Sequence, residues 1–70
     1  MRREPDPIAT ARDRAYDLAD TGRFWGWRSI SDAFVAEGGN MLIARRLESD
    51  SYFKFRLRQR IKNALVKRHA

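Results

Sequence analysis

The positions of glycine and proline divide this chain into segments that suit a small set of helices. Both prolines lie near the start, all four glycines lie between positions 22 and 39, and neither residue type occurs after Gly39. Because glycine and proline interrupt helices, the C-terminal segment is the longest without a break. Seventy residues without cysteine suffice for one domain, whose stability must come from packing. We therefore expect a single helical domain over residues 1–70, with residues 1–6 as a flexible N-terminal arm.

Capping residues and apolar periodicity predict four helices, at residues 7–21, 29–37, 41–48 and 51–67. Residue types that cap helix N-termini stand at the start of each: Asp6, Ser29, Asn40, and either Asp50 or Ser51. Ser29 is also followed three residues later by Asp32, an arrangement close to a capping box. The apolar stripes of the four helices comprise Ile8, Ala11, Ala15, Leu18 and Ala19; Ile30, Ala33 and Phe34; Met41, Ala44 and Leu47; and Phe53, Leu57, Ile61, Ala64 and Leu65. The predicted fold class is an all-α bundle of three to four helices with a long basic C-terminal helix.

Residues 53–62 also fit a second pattern, because apolar or neutral side chains alternate there with basic ones. That alternation is the period of a half-buried strand. Helix is favoured, since the helical stripe continues past the point where the alternation ends and a strand would have no partner within the chain. A strand at this position would require two copies of the chain to pair their edges.

Three aromatic side chains, Phe24, Trp25 and Trp27, lie within four positions of segment 22–28, which we expect to be a loop. One interpretation is that they fill the core, in which case both tryptophans are at least partly buried. The other is that they form a stacking platform for bases or a groove for a peptide. The core interpretation is favoured because so small a domain needs large apolar side chains for its stability.

The second and third predicted helices, joined around Gly38, weakly resemble a helix-turn-helix, in which the second helix enters the major groove of DNA. In that arrangement Ala33, Phe34, Ala44 and Leu47 face the packing side. The match is incomplete, because Glu37 occupies a position where an apolar residue is usual. The predicted third helix also lacks a polar row suited to base contacts.

All of the excess positive charge lies in the C-terminal part of the chain. Residues 1–40 carry six basic and seven acidic side chains, whereas residues 41–70 carry nine basic and two acidic ones, and the whole chain has a net charge of +6. On the last predicted helix the basic side chains form two rows, Lys54, Arg58 and Lys62 on one side of the stripe and Arg56, Arg60 and Lys67 on the other. No acid lies among them, so they need an anion from elsewhere. Within the chain the candidates are three acids of the first helix, Asp13, Asp17 and Asp20; outside it the candidate is a nucleic acid.

The function predicted from these features is a small nucleic-acid-binding module, such as a regulator, that contacts DNA or RNA phosphates through its C-terminal helix. The candidate site residues are Arg45, Arg46, Lys54, Arg58 and Lys62. Any base readout would come from the third helix. The alternative is a protein-interaction module that docks an acidic protein or a second copy through Phe55 and Val66, on the far side of the last helix. Binding to an anionic membrane ranks lowest, because the apolar stripe of that helix is needed for the core.

Neither enzyme activity nor a cofactor is expected. The single histidine, His69, adjoins the C-terminus, the serines lack a neighbouring base, and the glycines form no phosphate-binding loop. No cluster of cysteine, histidine or aspartate has metal-ligand spacing. No apolar run is long enough to span a bilayer or to serve as a signal sequence, so the expected location is the cytoplasm.

Overall fold

Four helices make up the computed structural model, which describes residues 6–68: α1 (Pro7–Asp20), α2 (Trp27–Ala36), α3 (Met41–Glu48) and α4 (Ser51–Arg68). The predicted all-α bundle is confirmed, and the described residues contain no strand. Residues 53–62 are helical throughout. The expected N-terminal arm lies outside the described residues apart from Asp6, and His69 lies outside them too.

Three of the predicted helix caps are formed. The Asp6 carboxylate accepts a hydrogen bond from the Ile8 N–H at 2.9 Å, and the Asn40 side-chain oxygen accepts one from the Leu42 N–H at 2.8 Å. Asp50 accepts from the Phe53 N–H at 3.0 Å and so begins α4. These bonds satisfy amide groups that a helix N-terminus leaves without a partner, which is why the helices start at these residues.

The predicted start of α2 is wrong. This helix begins at Trp27, two residues before Ser29, and its N-cap is Gly26, which makes no side-chain capping bond. The Ser29 hydroxyl donates to the Gly26 carbonyl at 3.1 Å, so the predicted capping box does not form. The physical reason is tertiary: the Trp27 ring packs against Phe53, and this contact extends the helix by half a turn beyond the local cap signal.

Phe53 occupies the centre of the core. Its side chain is fully buried, and its ring centroid lies 5.4 Å from that of Tyr16 on α1 and 5.4 Å from that of Trp27 on α2. The α1 stripe is rich in alanine, so its backbone can approach α4 closely, and α1 and α4 form the most extensive contact between two helices. The buried side chains are Ala11, Ala15, Leu18, Ala19, Ile30, Ala44, Leu47, Phe53, Leu57, Ile61 and Ala64.

Two side chains that were predicted to lie in the core are exposed instead. Trp25 is 77% exposed, so the expectation that both tryptophans are partly buried holds only for Trp27. Trp25 lies between Phe24 and Trp27, which both pack against the core and leave their neighbour on the outside. Met41, the first residue of α3, is 54% exposed because the inward face of this helix is formed by residues further along it. The inward positions of α3 are Ala44 and Leu47, with Ile43 packed beside them.

The connection between α2 and α3 has four residues and contains Gly38 at a φ of 103°, a conformation that side-chain-bearing residues rarely adopt. At Gly39 a Cβ atom would lie 2.5 Å from the Phe34 ring. Glu37, at the position where an apolar residue was expected, pairs with Arg14 of α1, with Nε 2.7 Å from Oε2. The hydrogen bond from Arg14 lowers the pKa of Glu37, and the same bond raises the pKa of Arg14.

Candidate nucleic-acid interface

The buried stripe of α4 separates the basic side chains of this helix into two rows. The stripe consists of Phe53, Leu57, Ile61 and Ala64, all of which are buried. The first row comprises Lys54, Arg58 and Lys62, and the second row comprises Arg56, Arg60 and Lys67. Because the two rows flank the stripe on opposite sides, they meet different neighbours in the folded chain.

The second row lies on the side of α4 that meets α1. Arg60 Nη1 donates to Asp20 Oδ2 at 2.9 Å, and the Arg60 guanidinium carbon lies 4.4 Å from the centroid of the Tyr16 ring. Lys67 lines a groove with both Asp20 and Arg60. The interpretation that acids of the first helix neutralise basic residues of the last is therefore confirmed at Asp20, and Arg60 is part of the α1–α4 packing.

The first row lies on the other side of α4, where its N-terminal half borders a groove facing α2. We name this the Trp25 groove, and its lining residues are Trp25, Gly26, Trp27, Arg28, Glu48, Lys54, Leu57, Arg58 and Ile61. Leu57 and Ile61 are buried and form its apolar floor. Both Arg58 and Arg28 are exposed, so their charged groups are accessible to a ligand in the groove.

Packing and capping position the two basic walls of the Trp25 groove. The rings of Trp27 and Phe53 meet nearly at right angles, which fixes the first turn of α2 and places Arg28 at the groove. On the other wall, Asp50 caps α4, and the Lys54 N–H donates to the Asp50 carbonyl at 3.0 Å in the first turn of that helix. The side chains of Arg28 and Lys54 therefore each extend from a helix turn whose backbone is fixed by a defined interaction.

The charge of the Trp25 groove is positive, since its ionisable residues are Arg28, Lys54, Arg58 and Glu48. The two ion pairs found within residues 6–68 engage other basic residues, Arg14 and Arg60. The three basic side chains of the groove are thus opposed by a single acid in the groove itself. Groups of like charge that lack ion-pair partners attract an anionic ligand.

A second groove runs between α2 and α3 and shares Trp27, Arg28 and Glu48 with the first. Arg45 and Asp32 line it, so Arg28 and Arg45 face two acids, and the groove is close to neutral. The exposed Met41 also borders this groove. It therefore offers an anion less attraction than the Trp25 groove does.

The structure brings together only part of the predicted set of site residues. Lys54 and Arg58 line the Trp25 groove, and Arg45 lines the adjoining one. Arg46 and Lys62 are exposed and line neither of the two grooves. Sequence reasoning missed Arg28, although this residue directly follows the aromatic segment, and basic residues beside aromatic ones are a recognised pattern of nucleic-acid binding.

Between residues 6 and 68, no three side chains of His, Cys, Asp or Glu lie close enough together to hold a metal ion. None of the four helices is both long enough and apolar enough to cross a membrane.

Comparison with known proteins gives no family for this chain: no protein-family model, curated protein or solved structure matches it. The function is therefore inferred from the Trp25 groove and its neighbouring residues.

Proposed function

We propose that this chain is a small nucleic-acid-binding module that holds backbone phosphates in the Trp25 groove. The observation that carries the proposal is the convergence of Arg28 from α2 with Lys54 and Arg58 from α4 on one groove. These residues are distant in sequence and come together only in the folded chain. Lysine and arginine side chains are the usual partners of phosphate oxygens, which they bind by charge-assisted hydrogen bonds.

The distribution of ion pairs supports this assignment. Arg60, two residues from Arg58 on the same helix, is paired with Asp20 and lies over the Tyr16 ring, as a structural arginine does. Arg58 has neither kind of partner among the described residues. Like-charge repulsion along α4 is thus relieved on the α1 side by the protein itself, and on the groove side it is relieved when phosphates bind.

The test is binding measured by fluorescence anisotropy on labelled nucleic acids, with the salt concentration raised from about 50 to about 200 mM. Each phosphate contact contributes about 0.7 to the slope of log affinity against log salt on single strands and about 0.9 on duplex DNA. The triple variant Arg28→Gln, Lys54→Gln, Arg58→Gln should therefore bind at least about tenfold more weakly, and its slope should be smaller by about 2 or more.

A matched control removes two arginines and one lysine outside the Trp25 groove, as Arg12→Gln, Arg56→Gln and Lys67→Gln. The net charge changes by the same amount, so a general loss of positive charge affects both triples equally. We expect the control triple to retain most of the affinity and most of the salt slope. Equal losses in the two triples would count against the groove, and absence of binding by the parent at low salt would overturn the proposed function.

A protein-interaction module is the second candidate, and one observation favours it. Phe55 is 55% exposed and Val66 is 62% exposed, both on the face of α4 that points away from the core. Single exposed apolar residues are common, but these two lie on the same face of a helix whose other exposed side chains are largely basic, and such a surface suits an acidic protein. If the parent binds no nucleic acid but associates with itself in sedimentation equilibrium, and Phe55→Gln abolishes the association, this candidate replaces the first.

A further inference from the structure

We infer that the nucleic acid held by this site is a single strand, with one base stacked on Trp25 and the adjoining phosphates at Lys54 and Arg58. The inference rests on the proposed function and names its ligand class. It follows from the placement of an exposed indole ring at a groove whose other walls are basic.

Trp25 has the exposure and the support that a stacking side chain needs. It is 77% exposed, although an indole is among the largest apolar surfaces that a chain can bury. Its neighbours Phe24 and Trp27 both pack against the core, so the short segment that carries Trp25 is held at both sides. Most of the Trp25 side chain therefore lies at the protein surface, on a segment that is anchored in the core on both sides, so ordering this segment on binding costs little conformational entropy.

A single strand can use this ring, whereas an intact duplex cannot. In a duplex each base face is covered by the next base pair, and only base edges are open in the grooves. In a single strand the base faces are open and stack on aromatic side chains with little dependence on sequence. Exposed Trp25 thus complements a chemical surface that only unpaired bases present.

The geometry of α4 places phosphate-binding groups beside the ring. Lys54 and Arg58 are four residues apart on one side of the helix, which separates them by about 6 Å along its axis. Arg28 approaches from α2, on the side of the groove that also carries Trp25. A basic groove that follows a backbone next to an aromatic platform is the general arrangement of single-strand binding.

The experiment compares an oligothymidylate, an oligouridylate and a duplex, each of about 15 nucleotides or base pairs, on the parent and on Trp25→Ala. The parent should bind the single strands more tightly than the duplex. Trp25→Ala should lose roughly 5- to 150-fold in affinity for single strands, the effect of one lost base stack, and little for the duplex. Trp25→Phe should retain most of the affinity, since a flat ring remains.

Leu42→Ala is the matched control, because Leu42 is another exposed apolar residue and does not line the Trp25 groove. It should leave single-strand affinity unchanged. A second readout uses Trp27→Phe, which leaves Trp25 as the only indole of the chain, since the sequence has two tryptophans. Its fluorescence should be quenched by oligothymidylate at the concentration at which anisotropy reports binding.

The outcomes separate this inference from the proposed function on which it rests. If the parent binds duplex as tightly as single strands, or if Trp25→Ala loses the same factor on both, the single-strand inference is wrong while phosphate binding in the groove stands. If the parent binds none of the three at low salt, the proposed function itself fails. Tighter binding of oligothymidylate than of oligouridylate indicates a preference for DNA strands, and the reverse indicates a preference for RNA strands.

Discussion

The rings of Trp27 and Phe53 meet at 87° with their centroids 5.4 Å apart, and this contact joins the first turn of α2 to the first turn of α4. Edge-to-face pairs of this kind add to the free energy gained by burying the rings. We predict that Trp27→Ala lowers the free energy of unfolding by about 3 kcal/mol, because it removes the ring that covers Phe53. Urea denaturation followed by circular dichroism measures the change.

Trp25→Ala provides the comparison for Trp27→Ala. The Trp25 ring is exposed, so removing it should change the free energy of unfolding by less than about 1 kcal/mol. If the two alanine variants were equally destabilised, Trp25 could not be exposed while Trp27 is partly buried. The stacking role proposed for Trp25 would then lose its premise.

The Arg14–Glu37 ion pair makes a second prediction, which concerns pH. Because the hydrogen bond from Arg14 lowers the pKa of Glu37 below its ordinary value of 4.5, the pair stabilises the fold fully above that pH. The stabilisation is lost as the pH falls through the lowered pKa of Glu37. An NMR titration should show the Glu37 carboxyl titrating below the ordinary range in the parent and closer to it in Arg14→Gln.

The stability of the fold should depend on pH through the same ion pair. The difference in free energy of unfolding between the parent and Glu37→Gln should shrink as the pH falls through the lowered pKa of Glu37, because both side chains are then neutral. A difference that grew on acidification would contradict the assignment. Replacing Arg14 would also break the contact between α1 and the residue at which α2 ends, so Arg14 is not used as a control for nucleic-acid binding.

Much of the fold could be predicted from the sequence because its signals are local. Asp6, Asn40 and Asp50 each bond to amide groups two or three residues ahead, so the starts of α1, α3 and α4 follow from local residue types, whereas the start of α2 does not. The exposure of Trp25 could not be predicted in the same way. Phe24, Trp25 and Trp27 are all large aromatic residues, and only the direction of the chain between α1 and α2 decides which of their rings reach the core.

The candidate site shows the same limit. The sequence places Arg58 and Arg60 in two basic rows that look alike on a helix, and it contains no information on which row will face α1. The packing of α1 against α4 decides that Arg60 meets Asp20 and that Arg58 meets the Trp25 groove. Arg28 was missed because its nearness to α4 depends on the early start of α2, which is a tertiary effect.

This division of the rows leads to a third prediction. Arg58→Gln should reduce nucleic-acid affinity and lower the salt slope by about 0.7 to 0.9, the contribution of one phosphate contact. Arg60→Gln removes the same charge two residues away but should leave the slope nearly unchanged, because Arg60 is engaged with Asp20 and Tyr16. Anisotropy titrations at several salt concentrations measure both. A larger effect of Arg60→Gln would place the ligand on the α1 side of α4.

The single acid of the Trp25 groove provides the last prediction. Glu48 lines the groove together with Lys54 and Arg58, so its carboxylate repels a phosphate that those residues attract. Glu48→Gln keeps the shape of the side chain and removes its charge. At low salt it should therefore tighten binding about two- to fivefold, the range expected for one surface charge. Asp13→Asn, which removes an exposed acid from α1, is the control and should change the affinity less. If Glu48→Gln weakened binding, the carboxylate would instead be accepting a hydrogen bond from the ligand, and the groove would bind a base edge at that point.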